Sequence, residues 1–254
     1  MKRLSSVATA SILGLVLAMS STADLSAAEL NVVAGGSLVP LFKEIGPQFE
    51  KASGHKLSIH FDSTPNIVAR VASGTPFDAV VVPFDVFKDA GAKSRFAPGT
   101  TVDIARVGYG VIVRAGAPKP DISTSDALKQ TLLAAPSIAF VPASAAGAYV
   151  SSVFERLGIG EKMKAKTKAE SAPVKIAAAI AHGDAALGIF LMNVLVAPGV
   201  ELVGPLPAEL QQELVFTAAV ASDSKQADAA KALIDFLRTP AATATIKAAG
   251  MTPG

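Results

Sequence analysis

The stretch that decides the fold is residues 29–54, ELNVVAGGSLVPLFKEIGPQFEKASG. A β-branched run ends at Val33 and predicts a buried strand, and Gly35 and Gly36 then mark a tight turn. Apolar residues next recur at the spacing of one helix face, namely Leu38, Leu41, Phe42, Ile45 and Phe49. Gly54 closes this helix. Strand, short loop and helix in this order form the building unit of an α/β domain.

The same unit recurs along the chain. In HKLSIHFD, residues 55–62, the apolar side chains of Leu57, Ile59 and Phe61 share one face of a predicted strand, and Pro65 then suits the first turn of a helix. Residues 79–82, AVVV, are apolar throughout. Continuous apolar strands between helices predict a parallel sheet with both faces covered.

Two later strands are predicted to cross between two halves of the molecule. The first lies in ARVGYGVIVRAGAPKP, residues 105–120, and the second in LVFTAAVAS, residues 214–222. Two crossings predict two doubly wound lobes with a ligand cleft between them. We expect lobe 1 to comprise residues 29–110 plus 216–254, and lobe 2 to comprise residues 111–215.

The N-terminus and the composition indicate an exported protein. Residues 1–28 combine Lys2 and Arg3, an apolar run and a small-residue end, as in a secretory signal peptide, so we expect a soluble periplasmic chain. The absence of cysteine excludes disulfides, thiolate catalysis and a lipid-modified cysteine anchor. A net charge of +2 over the chain predicts no nucleic-acid partner.

Three strand-to-helix junctions carry small or hydroxyl residues, at positions 35–37, 63–65 and 143–147. The first N–H groups of a helix lack partners within the helix, and the helix dipole adds positive charge there. Several such ends that face one cleft can hold an anion without Arg or Lys. The alternative for any single junction is plain capping, with Ser37 and Ser63 as ordinary N-caps.

At these junctions the chain resembles the periplasmic molybdate-binding proteins, the receptors of molybdate uptake transporters. The pieces that carry the resemblance are AGGSL, SGTPFDAVVVP, AAGAYVSSVFERLG and GDAALGIF, in this order. The resemblance implies a type II periplasmic binding fold, a monomer that closes on molybdate or tungstate, and delivery to an ABC transporter permease in the inner membrane. It implies no cofactor.

The resemblance also implies ligand contacts. Ser37 and Thr64 match hydroxyl contacts, and Ala146 matches an amide contact at a helix start. The fourth contact falls on Pro173 or Val174, and the fifth, a tyrosine in the family, falls on Leu191. The candidate binding set, with loop neighbours included, is Gly36, Ser37, Asp62, Ser63, Thr64, Ala146, Val174 and Leu191.

Asp62 and Leu191 keep a second ligand class open. A carboxylate beside a dianion is repulsive unless it is neutralised or turned away. Asp62 shares the polar strand face with Ser58 and His60, and it alternatively accepts hydrogen bonds from a hydroxylated or amine-bearing ligand. The alternatives are therefore the same receptor role for an organic acid, a binding module outside transport, or a hydrolase.

An enzyme is not expected from the sequence. Ser37 lies in GGSLV, which lacks the complete G-x-S-x-G elbow of a serine nucleophile. His55, His60 and His182 show no metal-ligand spacing, so no metal site is expected. His55 and His182 adjoin glycines in apparent turns and are expected at the solvated surface.

Overall fold

The computed structural model describes residues 27–254, which form ten strands and nine α-helices. Most of the signal peptide predicted at residues 1–28 lies outside the described residues. The strands are β1 (Glu29–Gly35), β2 (Lys56–Asp62), β3 (Ala79–Pro83), β4 (Val102–Arg114), β5 (Ile138–Phe140), β6 (Thr167–Ala169), β7 (Leu187–Leu191), β8 (Val200–Pro205), β9 (Glu213–Val220) and β10 (Thr252–Pro253). The α-helices are α1 (Val39–Ser53), α2 (Thr64–Ala72), α3 (Ala90–Lys93), α4 (Ser125–Ala134), α5 (Ala145–Arg156), α6 (Gly160–Lys166), α7 (Pro173–His182), α8 (Ala227–Leu237) and α9 (Pro240–Ala248). Within residues 27–254, no helix is both long enough and apolar enough to cross a membrane.

The strands form a mixed sheet in the order β2-β1-β3-β9-β4-β7-β5-β6, and β8 and β10 also pair with β4. Pairing is parallel among β2, β1 and β3, as predicted, and it is also parallel among β6, β5 and β7. In contrast, β9 runs antiparallel to β3 and β4, and β4 runs antiparallel to β7. The sheet is therefore mixed rather than all-parallel, because the chain passes out along β4 and back along β9.

The long strand β4 links the two groups of parallel strands. Its first part, up to Gly108, pairs with β9. From Tyr109 onward it pairs with β7 and, from Gly110, with β8. One strand thus contributes to both groups, as a crossing strand must.

Burial follows the patterns read from the sequence, with one exception. All five residues of β3 are buried, and burial along β2 alternates, as expected for an internal and an edge strand. Gly54 and Gly183 end α1 and α7 in the left-handed conformation that favours glycine. The surface position expected for His55 is wrong: the side chain is 4% exposed, lies 6.1 Å from the Phe49 ring, and accepts a hydrogen bond from the Ala28 N–H.

Candidate functional site

A cavity of about 160 Å³ lies where the starts of four helices meet, and we call it the front cavity. A water molecule needs roughly 10–15 Å³ of such space, so the front cavity has room for a ligand of several heavy atoms. Four short segments form its rim: residues 35–37, residues 62–64, Ser144 with Ala146, and residues 171–174. Its apolar walls are Val39, Phe61, Pro83, Val141, Leu214 and Phe216. The three junctions identified in the sequence are therefore brought together, and a fourth, at α7, joins them.

The first junction presents a buried hydroxyl. Gly36 to Leu38 form a 3₁₀ turn ahead of α1, and the Ser37 side chain is 7% exposed. It does not cap the turn, because the N-cap position is Gly35. Among the side-chain hydrogen bonds of residues 27–254, Ser37 takes part through its carbonyl, which accepts from Asn193, and not through its hydroxyl. The plain capping role considered for Ser37 is thus not what the structure shows.

The second junction leaves two more hydroxyl hydrogens free. Ser63 occupies the N-cap position of α2 but makes no side-chain capping bond. Thr64 Oγ1 accepts a hydrogen bond from the Ala145 N–H, at 3.2 Å between N and O. Since the Thr64 oxygen already serves as an acceptor, its O–H is available to donate to a ligand.

The third junction, at α5, is capped by a different serine. Ser144 Oγ accepts from the Gly147 N–H at 2.9 Å and donates to the Val141 carbonyl, also at 2.9 Å. With the Ala145 N–H bound to Thr64, the Ala146 N–H is the unpaired amide of this first turn, and Ala146 lines the front cavity. Backbone donation by Ala146 is therefore available.

The fourth junction, at α7, adds an amide and a nearby cation. Pro173 occupies the first helical position and has no N–H, so Val174 provides the first amide of the helix. Ser171, which also lines the front cavity, accepts a hydrogen bond from Lys175 Nζ at 2.9 Å. Of the two residues aligned with the fourth contact, only Val174 can donate.

Asp62 lines the front cavity with its carboxylate already engaged by protein donors. Oδ1 accepts from the Ser63 N–H and from Asn66 Nδ2, each at 2.7 Å, and Oδ2 lies 3.3 Å from His60 Nε2. Partial burial raises the pKa of Asp62, but the hydrogen bonds from Asn66, Ser63 and His60 outweigh burial and hold the pKa below its ordinary value. The carboxylate thus stays ionised, and His60 and the N–H donors reduce its repulsion toward an anion.

Leu191 does not reach the front cavity. Its side chain is fully buried at the end of β7, opposite Tyr109 of β4.

The next turn instead contributes Asn193, which the sequence analysis missed. Asn193 is 7% exposed, and its Nδ2 donates to the Ser37 carbonyl at 2.7 Å. The sequence signal for Asn193 was a polar residue soon after a buried strand. The residues around Asn193 in the sequence do not indicate that it contacts Ser37.

The chemistry of the front cavity is that of neutral donors. Among the residues that line it, Asp62 is the one ionisable side chain. Free hydroxyls and helix-start amides lie beside the apolar walls, and such amides attract negative charge. Across residues 27–254, no group of three or more His, Asp or Glu side chains is arranged to hold a metal ion.

Comparison with known proteins gives the family. The sequence model described as bacterial extracellular solute-binding protein matches residues 30–252. An aconitate isomerase from Pseudomonas sp. is 34% identical, with 88% of this chain and 87% of the relative covered. The molybdate-binding protein of Azotobacter vinelandii is 28% identical, with 88% and 90% covered.

Solved structures show the same fold. The periplasmic molybdate-binding protein of Azotobacter vinelandii superimposes with a TM-score of 0.74 at 21% identity, over 88% of this chain and 98% of that one. The substrate-binding domain of a putative molybdenum ABC transporter from Clostridium difficile gives 0.69 at 20% identity, over 89% and 99%. The expected type II periplasmic binding fold, with two lobes about a cleft, is confirmed, and the chain belongs to the bacterial extracellular solute-binding protein family.

Proposed function

We propose that this protein is the periplasmic receptor of an ABC uptake transporter and binds a small oxyanion, of the molybdate or tungstate type, in the front cavity. The observation that carries the proposal is the meeting of four helix starts around one small space. Ser37, Ser63 and Thr64 offer hydroxyl hydrogens there, and Ala146 and Val174 offer amides.

Neutral donors suit a receptor that must release its ligand. Helix-start amides are fixed in orientation before the ligand arrives, so little reorganisation opposes binding. An Arg or Lys in the cavity is not required, because each helix start already carries partial positive charge. The apolar walls, which include Phe61, Leu214 and Phe216, limit the water that competes with the ligand for these donors.

The remaining parts of the proposal follow from the family and the topology. We place lobe 1 at residues 29–110 plus 216–254 and lobe 2 at residues 111–215, because β4 and β9 connect the two groups of parallel strands. Export would use the predicted signal peptide at residues 1–28. Closure of the lobes on the ligand would present a joint surface to the permease, and the names of the molybdate relatives support this partner.

A second candidate is the binding or conversion of a small organic acid. The Pseudomonas relative named aconitate isomerase is 34% identical, a higher identity than that of the Azotobacter molybdate-binding protein. Leu191 also supplies no phenol where the molybdate-binding family has one. Helix-start donors hold carboxylates as well as inorganic oxyanions, since both present negative oxygens.

The experiment that tests the proposal is a thermal-shift screen on protein unfolded and refolded to remove carried-over ligand. The panel contains molybdate, tungstate, sulfate, phosphate and small mono-, di- and tricarboxylates. A ligand at a hundredfold excess over its Kd adds about 2.7 kcal/mol to stability. A response to molybdate and tungstate supports the first candidate, and a response to carboxylates alone supports the second.

A double variant tests the site itself. Ser37→Ala with Thr64→Ala removes two hydroxyl donors, so binding should fall at least tenfold while unfolding stays cooperative. The matched control is Ser94→Ala with Thr101→Ala, which removes two hydroxyls at exposed positions away from the cavity. Undiminished affinity in the first variant would contradict the proposed contacts.

Turnover separates receptor from enzyme. The refolded protein is incubated with cis-aconitate, and the trans isomer is followed by proton NMR. Conversion of many equivalents per protein would establish catalysis. Saturable binding with one equivalent bound and no conversion would leave the receptor role.

A further inference from the structure

A second space adjoins the front cavity, and we call it the rear groove. It measures about 660 Å³ and is lined by Thr64, Asp85, Tyr109, Tyr149, Gln212 and Leu214, among others. Thr64, Ser144 and Leu214 line both spaces. The two are therefore adjacent parts of one cleft rather than unrelated surface depressions.

One hydrogen bond stands at the boundary between the two spaces. Thr64, which lines both, accepts from the N–H of Ala145, which lines the rear groove. At 3.2 Å between N and O, this is a neutral bond at the long end of the usual range. A ligand that occupies both spaces can replace it by accepting from the Ala145 N–H and the Thr64 O–H.

Tyr109 gives the rear groove an unused donor. The residue is 1% exposed and lines the rear groove. Its hydrogen bonds with side chains of residues 27–254 join its backbone N–H and carbonyl to Gln211, and its hydroxyl takes part in none of them. Tyr149 differs, since its hydroxyl donates to the Leu210 carbonyl at 2.7 Å. The two rings lie 4.7 Å apart between centroids. Among residues 27–254 the fully buried side-chain atoms without a partner are Arg70 Nε, Arg95 Nε and Asn193 Oδ1, so the Tyr109 hydroxyl keeps access to the groove and can donate to a ligand there.

Asp85 supplies the complementary acceptor. Its Oδ1 is 2.7 Å from Lys88 Nζ, while Oδ2 has no bond to any group of the described chain. Asp85 and Tyr109 both line the rear groove. Burial first, and then Tyr149 and Asp85, raise the pKa of Tyr109 well above its ordinary value, so the phenol stays protonated as a donor. An alcohol can accept from Tyr109 and donate to Asp85, whereas a carboxylate there is repelled by Asp85.

We propose that the rear groove is a subsite for the hydroxyl-bearing part of a hydroxy acid whose carboxylate lies against the helix starts of the front cavity. This inference rests on the proposed anion site and on its second candidate ligand, the organic acid, and it names the class of acid. A tetrahedral oxyanion fills the front cavity only, so it gains nothing from Tyr109.

The test pairs ligands that differ by one hydroxyl with a variant that lacks one hydroxyl. Titration calorimetry compares malate with succinate, and citrate with tricarballylate, in the wild-type protein and in Tyr109→Phe. The wild type should prefer at least one hydroxy acid over its deoxy partner by about tenfold. In Tyr109→Phe this preference should fall below about twofold, with the affinity for succinate, tricarballylate and molybdate unchanged.

The control is Tyr149→Phe, which removes a phenol that already has a protein partner. It should keep the preference for the hydroxy acid, and the melting temperatures of both variants confirm that they fold. Carboxylate binding without a hydroxyl preference, a preference that survives in Tyr109→Phe, or binding of molybdate alone would each overturn the subsite. Failure of every anion to bind would overturn the front-cavity proposal as well, so the two failures are distinguishable.

Discussion

At the scale of single residues, the hydroxyl side chains at the helix starts divide into two roles. Ser144 caps α5 through its side chain, while Ser63, at the equivalent position of α2, makes no capping bond. Both fit the sequence preference for an N-cap, so the residue type alone does not separate them. The separation comes from the neighbours, since Asp62 already accepts from the Ser63 N–H and Thr64 binds across the cleft.

Among the glycines of residues 27–254, Gly147 leaves the least space for a side chain. A Cβ at this position would lie 1.8 Å from the Val141 carbonyl oxygen, far inside van der Waals contact. We expect Gly147→Ala to lower the free energy of unfolding by about 1–3 kcal/mol or more, because backbone must shift. Urea denaturation measures this.

The control for Gly147→Ala is Gly204→Ala, where the nearest atom to the new Cβ is 3.8 Å away. It should change stability by less than about 1 kcal/mol. Equal effects of the two substitutions would contradict the steric argument.

Asp62 makes stability depend on acidic pH. Because hydrogen bonds from Asn66, Ser63 and His60 outweigh the opposing effect of burial, its folded pKa lies below the unfolded value of about 3.9. The ionised carboxylate therefore stabilises the fold above the unfolded pKa, and this contribution is lost as pH falls through the folded pKa. Denaturation curves from neutral pH to below about pH 3 should show the loss.

Asp62→Asn provides the comparison. Its stability should fall less steeply than that of the wild type in the same acidic window, since the titrating group is gone. Parallel pH profiles for the two proteins would show that Asp62 does not contribute.

At the scale of elements, the start of α5 serves both folding and the site. Ser144→Ala removes the bond to the Gly147 N–H and should cost about 0.5–2 kcal/mol of stability. It should also weaken anion binding, because the amide of Ala146 is held by the same turn.

A second helix cap gives a matched control for this prediction. Thr124 accepts from the Ala127 N–H at 3.1 Å at the start of α4, which does not line the front cavity. Thr124→Ala should cost similar stability and leave ligand affinity unchanged. Equal losses of affinity in both variants would mean that binding follows global stability rather than the α5 turn.

The 3₁₀ turn after β7 holds the first junction in place through Asn193. Its Nδ2 donates to the Ser37 carbonyl, while its Oδ1 is buried without a partner. We expect Asn193→Ala to cost about 1–3 kcal/mol, because the buried Ser37 carbonyl loses its donor. Calorimetry should also show weaker anion binding. Affinity and stability both at wild-type values would exclude this role for Asn193.

At the scale of the whole molecule, closure of the cleft depends on contacts between the proposed lobes. Two such contacts adjoin the front cavity, Thr64 with Ala145 and Ser37 with Asn193. Closed without a ligand, the front cavity leaves several donors unpaired, which costs free energy. We therefore expect the ligand-free protein to open and the ligand to close it.

Small-angle X-ray scattering tests this expectation. The radius of gyration should fall when the anion identified in the screen is added, and stability should rise by about 2.7 kcal/mol at a hundredfold excess over Kd. The variant with Ser37→Ala and Thr64→Ala should show neither change. Identical scattering of the wild type with and without ligand would exclude closure.

Local patterns in the sequence were sufficient for several of the elements and for the family. The apolar run of β3, the alternation of β2 and the glycine end of α1 all appear as predicted, because burial periodicity and left-handed caps depend on neighbours along the chain. The three loops at the strand ends were also predictable, since parallel strands place their carboxyl ends at one edge.

The tertiary structure alone decided which side chains in those loops are free. The burial of Leu191 and His55, the antiparallel course of β9, and the reach of Asn193 to Ser37 all join residues far apart in sequence. Such contacts depend on how the groups of strands pack, and no periodicity within one segment records them. The sequence thus determined where donors occur, and only long-range packing decided which of them remain unpaired around one cavity.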